Sequence, residues 1–415
     1  ILQYMVAGTQ WVEAQMSLRP LRWMGTGLLL ATLTGAGAML LGYPFLTTHT
    51  AHLDLPILGD IHVASALFFA IHLFRMTTFF LIAGLFASAA LGLSMPATAQ
   101  QYKDEYKLST VLGEAFPWGW GAKRWADLVA EKTEGRIKIK VYPGTSLVSG
   151  DQTKEFTALR QGIIDMAVGS TINWSPQVKE LNLFALPFLM PDHKAIDALT
   201  KGRVGTKMFE ILAERDVVPL AWGENGFREV SNSKKPIRTP DDVKGMKMRV
   251  VGSPLFLATF NALGANPTQM SWADAQPAMA TGAVDGQENP LAVFNAAKLH
   301  TVGQKNLTLW GYVADPLIFV VNKTVWNSWS EADRKAVQEA AQQAATEEIA
   351  RARAGISAGD DALLKEIEAN GVSVVRLTDA ERDAFRTATA GVYKEWAEKI
   401  GADLVKQAEE DIAKR

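Results

Sequence analysis

Residues 101–415 hold only two histidines, His193 and His300, far apart and in no metal-ligand spacing. They suit structural or surface roles better than catalysis. The chain has no cysteine, which excludes disulfides, thiolate nucleophiles and Cys-ligated zinc or iron–sulfur sites. No H-E-x-x-H, G-x-S-x-G, phosphate-binding G-x-x-x-x-G-K-[ST] or helix-opening G-x-G-x-x-G occurs. The carboxylate pairs Asp241-Asp242 and Glu409-Glu410 read as solvated charge. What can still do chemistry is aromatic material beside turns: Phe116-Pro117-Trp118-Gly119-Trp120, Asn173-Trp174, and Ser271-Trp272 after Asn266-Pro267. Twelve tryptophans are many for this length. Trp125, on a helix face, reads as core, whereas Trp beside Gly and Pro at a strand end walls a concave small-molecule site. Trp118 and Trp272 fit that role better than Trp120 and Trp222.

The elements that must position these residues alternate in period. Residues 106–110 read as a strand and 119–133 as a helix with Ala122, Trp125, Ala126 and Val129 on one face. Ile137, Ile139 and Val141 alternate as a strand that stops at Pro143-Gly144, Asp151 caps a helix carrying Phe156 and Leu159, and 165–168 is a further strand. Residues 240–242 open a short capped helix before a strand at 246–251, and a helical region capped by Ser330 runs towards Gly371. Some forty residues is long for one globular helix, so it either spans two domains or breaks at Gly355 or Gly359. This is the pattern of an α/β protein with mostly parallel sheets, which bind ligands beyond the carboxyl ends of their strands.

The 415 residues balance 42 Lys and Arg against 44 Asp and Glu, a net charge of −2 that argues against an electrostatic nucleic-acid binder. Six of those charges lie in residues 1–100. Residues 24–46 carry none and follow Arg19 and Arg22, which predicts a transmembrane helix. From Met76 an apolar stretch leads to Ala97-Thr98-Ala99, a signal-peptidase type site, so 76–99 reads as a signal peptide. Residues 1–75 form a membrane fragment that resembles the end of a multi-subunit cation/proton antiporter protein in the run from Gly59 to Phe69. A signal peptide inside the chain predicts a fused reading frame, with the functional protein starting near Gln100; residues 1–75, if retained, would be membrane-inserted.

Three strings go beyond composition: Gly226-Phe227-Arg228-Glu229-Val230-Ser231-Asn232, Asp241-Asp242-Val243-Lys244-Gly245-Met246-Lys247-Met248-Arg249-Val250, and Ala283-Val284-Asp285-Gly286-Gln287-Glu288-Asn289-Pro290. In order and spacing they closely resemble the substrate-binding proteins of tripartite ATP-independent periplasmic (TRAP) transporters, DctP type. Tyr142-Pro143-Gly144 and the run Leu183 to Phe188 are similar as well. The resemblance covers essentially all of 101–415 and implies a two-lobe α/β binding protein with a long inter-lobe helix. Residues 100–225 with 315–354 would form lobe I, and 226–314 with 355–415 lobe II.

The resemblance implies that Arg249 grips the ligand carboxylate, a task that suits a guanidinium fork; the alternative is an Arg bridging two domains through an internal carboxylate. It further implies that Arg228 helps hold the acid, that Asn289 contacts it and that Trp272 lies against it. Phe116, Trp118, Asn173, Trp174 and Phe227 complete the candidate set, and so aromatic a pocket points to a monocarboxylate with an apolar or aromatic body, such as a 2-hydroxy or 2-oxo aryl acid. Asp285 and Glu288 read as scaffold, since extra anions would oppose an acid. The implied protein is periplasmic after cleavage near Ala99 and Gln100, closes its lobes on a small carboxylate and docks on the small and large TRAP membrane subunits, without cofactor, metal or nucleic acid. Two rivals are an organic-acid lyase or isomerase with Glu114 or Asp315 as base, and a membrane-tethered organic-acid sensor.

Overall fold

The computed structural model describes residues 102–356 and 359–415, together with Thr77. The expected transmembrane helix at 24–46 and nearly all of the signal segment 76–99 lie outside the described residues. Among the described residues no helix is long and apolar enough to cross a membrane.

Nine strands make one sheet: β1 (Tyr106–Thr110), β2 (Ile139–Tyr142), β3 (Met166–Ser170), β4 (Val217–Asn232), β5 (Lys247–Val250), β6 (Asn266–Gln269), β7 (Gly286–Pro290), β8 (Asn306–Asn322) and β9 (Ser373–Arg376). Their order is β2-β1-β3-β8-β4-β7-β5-β6, with β9 on β8. The short strands β1, β2 and β3 pair in parallel, as do β5, β6 and β7, while the two long strands β4 and β8 run antiparallel to each other from one group to the other. Each lobe is therefore a parallel half-sheet completed by one half of the β4–β8 ribbon. Along that ribbon the register slips between Glu224 and Gly226 and again between Arg228 and Val230. Gly226, with φ +114°, faces Asp315 at the crossing. Only glycine adopts that conformation without strain, and bulges of this kind bend a strand.

Both faces are covered at the centre of the first half-sheet, so β3 and the adjoining Leu317–Val321 of β8 are buried at successive positions rather than alternately, while Lys107 of β1 and Lys140 of the edge strand β2 reach solvent. Met166 and Val168 of β3, with Leu317, Phe319 and Val321 of β8, pack on Trp125 and Val129. Their neighbours Ala167, Ile318 and Val320 point the other way, against Phe156, Trp174 and Leu199. The second lobe is built likewise, with Met248 and Val250 of β5 against Phe256, Phe260 and Trp310.

The helix capped by Ser330 spans Glu331–Ala352 and then breaks, with Gly355 and Gly359 both at positive φ, before a separate helix Ala362–Ala369. Its stripe Val337, Ala340, Ala341, Ala344 and Ala345 packs in the cluster of Trp125 and Phe319. The helix Asp379–Ile400 places Phe385 and Val392 in the second lobe's core and Ile400 in the first lobe's. The last helix, Ala402–Ala413, departs from the expected division. Val405, Ala408 and Ile412 pack with Leu199, Val204 and Met208, so the C-terminal residues return to the first lobe because their apolar stripe has its partner there.

Candidate functional site

The ends of β1, β3, β5 and β7 and the middle of β4 converge on a nearly shut cavity where the β4–β8 ribbon crosses between lobes, with only about 20 Å³ of free room, far less than an open ligand site offers. In β5, Met248 and Val250 face the core, so Arg249 between them must face the cleft. Its side chain is 1% exposed. Nε and Nη2 donate to the Met270 carbonyl at 3.0 and 2.8 Å, and the guanidinium carbon lies 5.8 Å from the ring centre of Trp272. Among the described residues no carboxylate comes within ion-pair distance of it. Burial pushes its pKa down to about 10, with Arg228 adding to the depression and Glu288 opposing it. A buried cation without a counter-ion is costly, and an incoming carboxylate removes that cost.

Arg228, two strands away on β4, is as buried but fully paired. Its Nε and Nη2 grip the Glu288 carboxylate, Nη2 also donates to the Glu288 carbonyl at 2.8 Å, and Nη1 reaches Asp315 Oδ2 at 3.1 Å. Burial works to lower its pKa, but Glu288 and Asp315 outweigh it and the net shift is upward. Arg228 still lines the cavity, yet it is the arginine that bridges internal carboxylates, the alternative raised for Arg249. Tyr312 donates to Glu288 at 3.1 Å, and Ser170 and Asn225 donate to Asp315 at 2.5 and 2.9 Å, which pins the cluster across both long strands.

Three asparagines line the same cavity, and their anchoring bonds fix which end each presents. Asn173 Oδ1 accepts from Gln152 Nε2 at 2.7 Å, leaving the NH₂ group for a ligand. Asn289 donates to Gln287 Oε1 at 2.5 Å and Asn225 to Asp315, leaving two amide oxygens. Apolar walls come from Trp118, Trp272, Val111, Leu112 and Val251. Trp118 is held by its indole N–H on the Val168 carbonyl at 2.6 Å.

The structure thus brings together Arg249, Arg228, Asn289, Asn173, Trp118 and Trp272, and corrects the other three candidates. Trp174 is fully buried, its ring tilted against Phe156 with centres 5.2 Å apart and its N–H on Glu155, in space that exists because Gly169 has no Cβ. Phe227 precedes Arg228 on β4 and so faces away from the cavity, edge-on to His193 at 5.2 Å. Phe116 caps the helix Pro117–Lys132 and packs on its core, with no part in the cavity. Sequence reasoning missed Gln152 and Asn225 and saw Asp315 as a lobe crossing or a base rather than as a cavity residue. Asn225 directly precedes the Gly226-Phe227-Arg228 string, which could have flagged it. Two wider grooves near Phe188 carry Arg382 and Arg386, but these pair with Asp379 and Asp383.

As a machine for chemistry the cavity is poor. Glu114 is exposed and outside it, and Asp315 already accepts from three donors. Its geometry is that of a two-lobe solute-binding protein, with a cationic floor, amide sides and apolar walls.

The comparisons agree. The family described as bacterial extracellular solute-binding protein, family 7 (DctP) matches residues 108–399, and the chain belongs to that family. Residues 1–82 match a domain related to the MnhB subunit of the Na+/H+ antiporter. The 2,3-diketo-L-gulonate-binding periplasmic protein YiaO of Escherichia coli K12 is 32% identical over 79% of this chain and 96% of its own. The C4-dicarboxylate-binding periplasmic protein DctP of Rhodobacter capsulatus is 31% identical over 76% of this chain and 92% of its own. A TRAP periplasmic solute-binding protein of Ralstonia eutropha H16, solved with bound (S)-2-acetolactate, is 70% identical with a TM-score of 0.75, covering 76% of this chain and all of that one. These relatives bind solutes rather than transform them, and this chain is a binding protein, not an enzyme.

Proposed function

We propose that the protein is a periplasmic receptor that captures a small 2-hydroxy or 2-oxo monocarboxylate with a compact apolar body and hands it to the membrane subunits of a TRAP transporter. The observation that carries this reading is Arg249, a fully buried guanidinium with no carboxylate partner among the described residues, in a cavity walled by Trp118 and Trp272. The free amide oxygens of Asn225 and Asn289 favour a ligand hydroxyl and disfavour a second carboxylate, which they would repel. With Trp174, Phe227 and Phe116 out of the cavity, an aryl body loses its support and a short branched one fits better. The 70% identical Ralstonia protein holds such an acid. Lobe division at Gly226 and Asp315, and the signal cleavage near Ala99, belong to the same proposal.

Calorimetry and thermal shift with (S)-2-acetolactate, 2-hydroxyisobutyrate, phenyllactate and succinate test it, since a ligand that binds only the folded state raises the midpoint. The compact hydroxy acids are expected to bind most tightly. Tight succinate binding with none of the hydroxy acids would overturn the ligand class, and binding of no acid would overturn the role of Arg249.

A further inference from the structure

Gln152 is 4% exposed and hydrogen-bonds to both lobes at once. It opens the short turn Gln152–Lys154, held by Asp151, which accepts from Thr153 N–H. Its Nε2 donates to Asn173 in the same lobe at 2.7 Å, while its Oε1 accepts the Trp272 N–H of the other lobe at 3.0 Å. Trp272 is the first residue of the helix Trp272–Ala280, so its N–H belongs to the first turn, where no helical carbonyl is in reach. Ser271 caps that helix through Asp274 N–H and leaves Trp272 N–H to Gln152. Gln152 is thus a helix cap supplied from the opposite lobe. Two residues earlier, Met270 holds Arg249 through its carbonyl. The lips around it are shut: a Cβ on Gly252 would come within 2.4 Å of Thr153, and one on Gly150 would lie 3.6 Å from the Ala273 Cβ.

We propose that Gln152 is the closure latch, a positioning residue that caps Trp272 only when the lobes meet and so sets how long the ligand stays rather than whether it is recognised. The idea rests on the acid-binding reading of the cleft. An acid on Arg249 steadies the 270–272 segment, which presents Trp272 N–H to Gln152, so capture and locking share three consecutive residues. With the lobes apart, Gln152 and Trp272 N–H each return to water at little cost, and the latch adds nothing to the stability of the open form.

The test uses Gln152→Met, which keeps the shape and removes both bonds; because Gln152 also lines the cavity and orients Asn173, the ligand-free cross-linking below, which recognition does not touch, decides the latch. Stopped-flow with (S)-2-acetolactate should show dissociation faster by about tenfold, the worth of one well-made hydrogen bond, with association changed less than about threefold. A second readout needs no ligand. The chain has no cysteine, and Gly150→Cys with Ala273→Cys places two Cβ atoms within the roughly 3.5–4.5 Å that a disulfide spans; the strain of a Cys at the positive φ of Gly150 is the same with and without Q152M and cancels from the comparison. Oxidative cross-linking of that pair then counts closures, and Q152M should slow it several-fold while the ligand-free melting midpoint stays put. Unchanged dissociation and cross-linking rates would overturn the latch, as would a ligand-free midpoint that falls as far as the liganded one, which would make Gln152 a permanent strut. If acetolactate does not bind the parent, the functional reading fails, and the cross-linking rate still decides the latch.

Discussion

Arg228 and Arg249 look into one cavity from β4 and β5, separated by β7, and both are almost completely buried. One is neutralised by Glu288 and Asp315; the other has a backbone carbonyl, an indole face and no anion. The difference separates architecture from function. Around Arg228 the one cation meets two carboxylates, which ties β4, β7 and β8 together where the ribbon crosses between the half-sheets. Around Arg249 no anion among the described residues supplies a match, and in the function proposed above the ligand carboxylate would supply it. Two motif arginines of the same type therefore do opposite work, and the neighbours that decide between them lie 60 to 87 positions from Arg228 in the chain.

Breaking the paired side should cost most. Arg228→Met leaves Glu288 and Asp315 buried without their cation, and loss of one partner of a buried pair costs about 3–5 kcal/mol. Urea denaturation of the ligand-free protein reads this directly. A loss below about 1 kcal/mol would mean that the cluster does not brace the hinge.

Breaking the unpaired side should have the reverse signature. Arg249→Met should weaken acid binding by about 2–5 kcal/mol yet leave the ligand-free protein as stable or more stable, because an uncompensated buried charge is gone. Alkaline pH sharpens the contrast. The folded pKa of Arg249, about 10, lies below the ordinary arginine value. Between the two the unfolded chain holds the proton and the folded one does not, so this group's contribution to stability rises with pH through that window. Acid affinity runs the other way and declines above pH 10 as the cation is lost. The difference between wild type and R249M isolates both slopes, and parallel curves would contradict the assignment.

How much of this was legible in the sequence follows from the range of the interactions involved. The strand Tyr106–Thr110 and the Ser330 cap are set by neighbours a few residues away, and the patterns showed them, whereas the break near Gly355 was one of two readings they left open. That Arg249 lines the cavity was legible because its motif is local. Which aromatics face the cavity was not. Trp174 and Trp118 both follow strand ends, and only the tertiary partners, Glu155 for one and the Val168 carbonyl beside the cleft for the other, send one inward and keep the other at the wall. Phe227 shows the same limit at its shortest range, since adjacent strand residues face opposite sides and the string alone does not say which side is the cleft.

Glu155 provides a smaller test, beneath the site rather than in it. The carboxyl accepts from Ser109 and Trp174 but has no cation, and burial raises its pKa to about 7 against the partial opposition of those two bonds. A folded pKa above the unfolded value means that the native state holds a proton the unfolded chain has released. Stability therefore falls as pH rises from the ordinary glutamate range to about 7 and stays lower above it. Glu155→Gln mimics the protonated acid. It should flatten that slope and stabilise the protein at pH 8 by up to about 3 kcal/mol, with acid binding unchanged apart from any effect passed through Trp174 to Asn173. A pH dependence identical to the wild type would show that the folded and unfolded states bind the Glu155 proton alike, so that burial does not raise its pKa.

The smallest expected effect is the one that most directly tests the corrected aromatic set. Phe227 faces His193 on the side of β4 away from the cavity, whereas Trp272 shares the cavity with Arg249. Phe227→Leu preserves an apolar, half-buried side chain and should leave acid affinity within about 0.5 kcal/mol of wild type, as for a substitution away from the site. Trp272→Leu in the same calorimetric series should cost more, because it removes both a cavity wall and the cation–π face beside Arg249. Equal losses from the two variants would mean that β4 presents its other face to the ligand, which would exchange the places of Phe227 and Arg228 and undo the contrast between the two arginines.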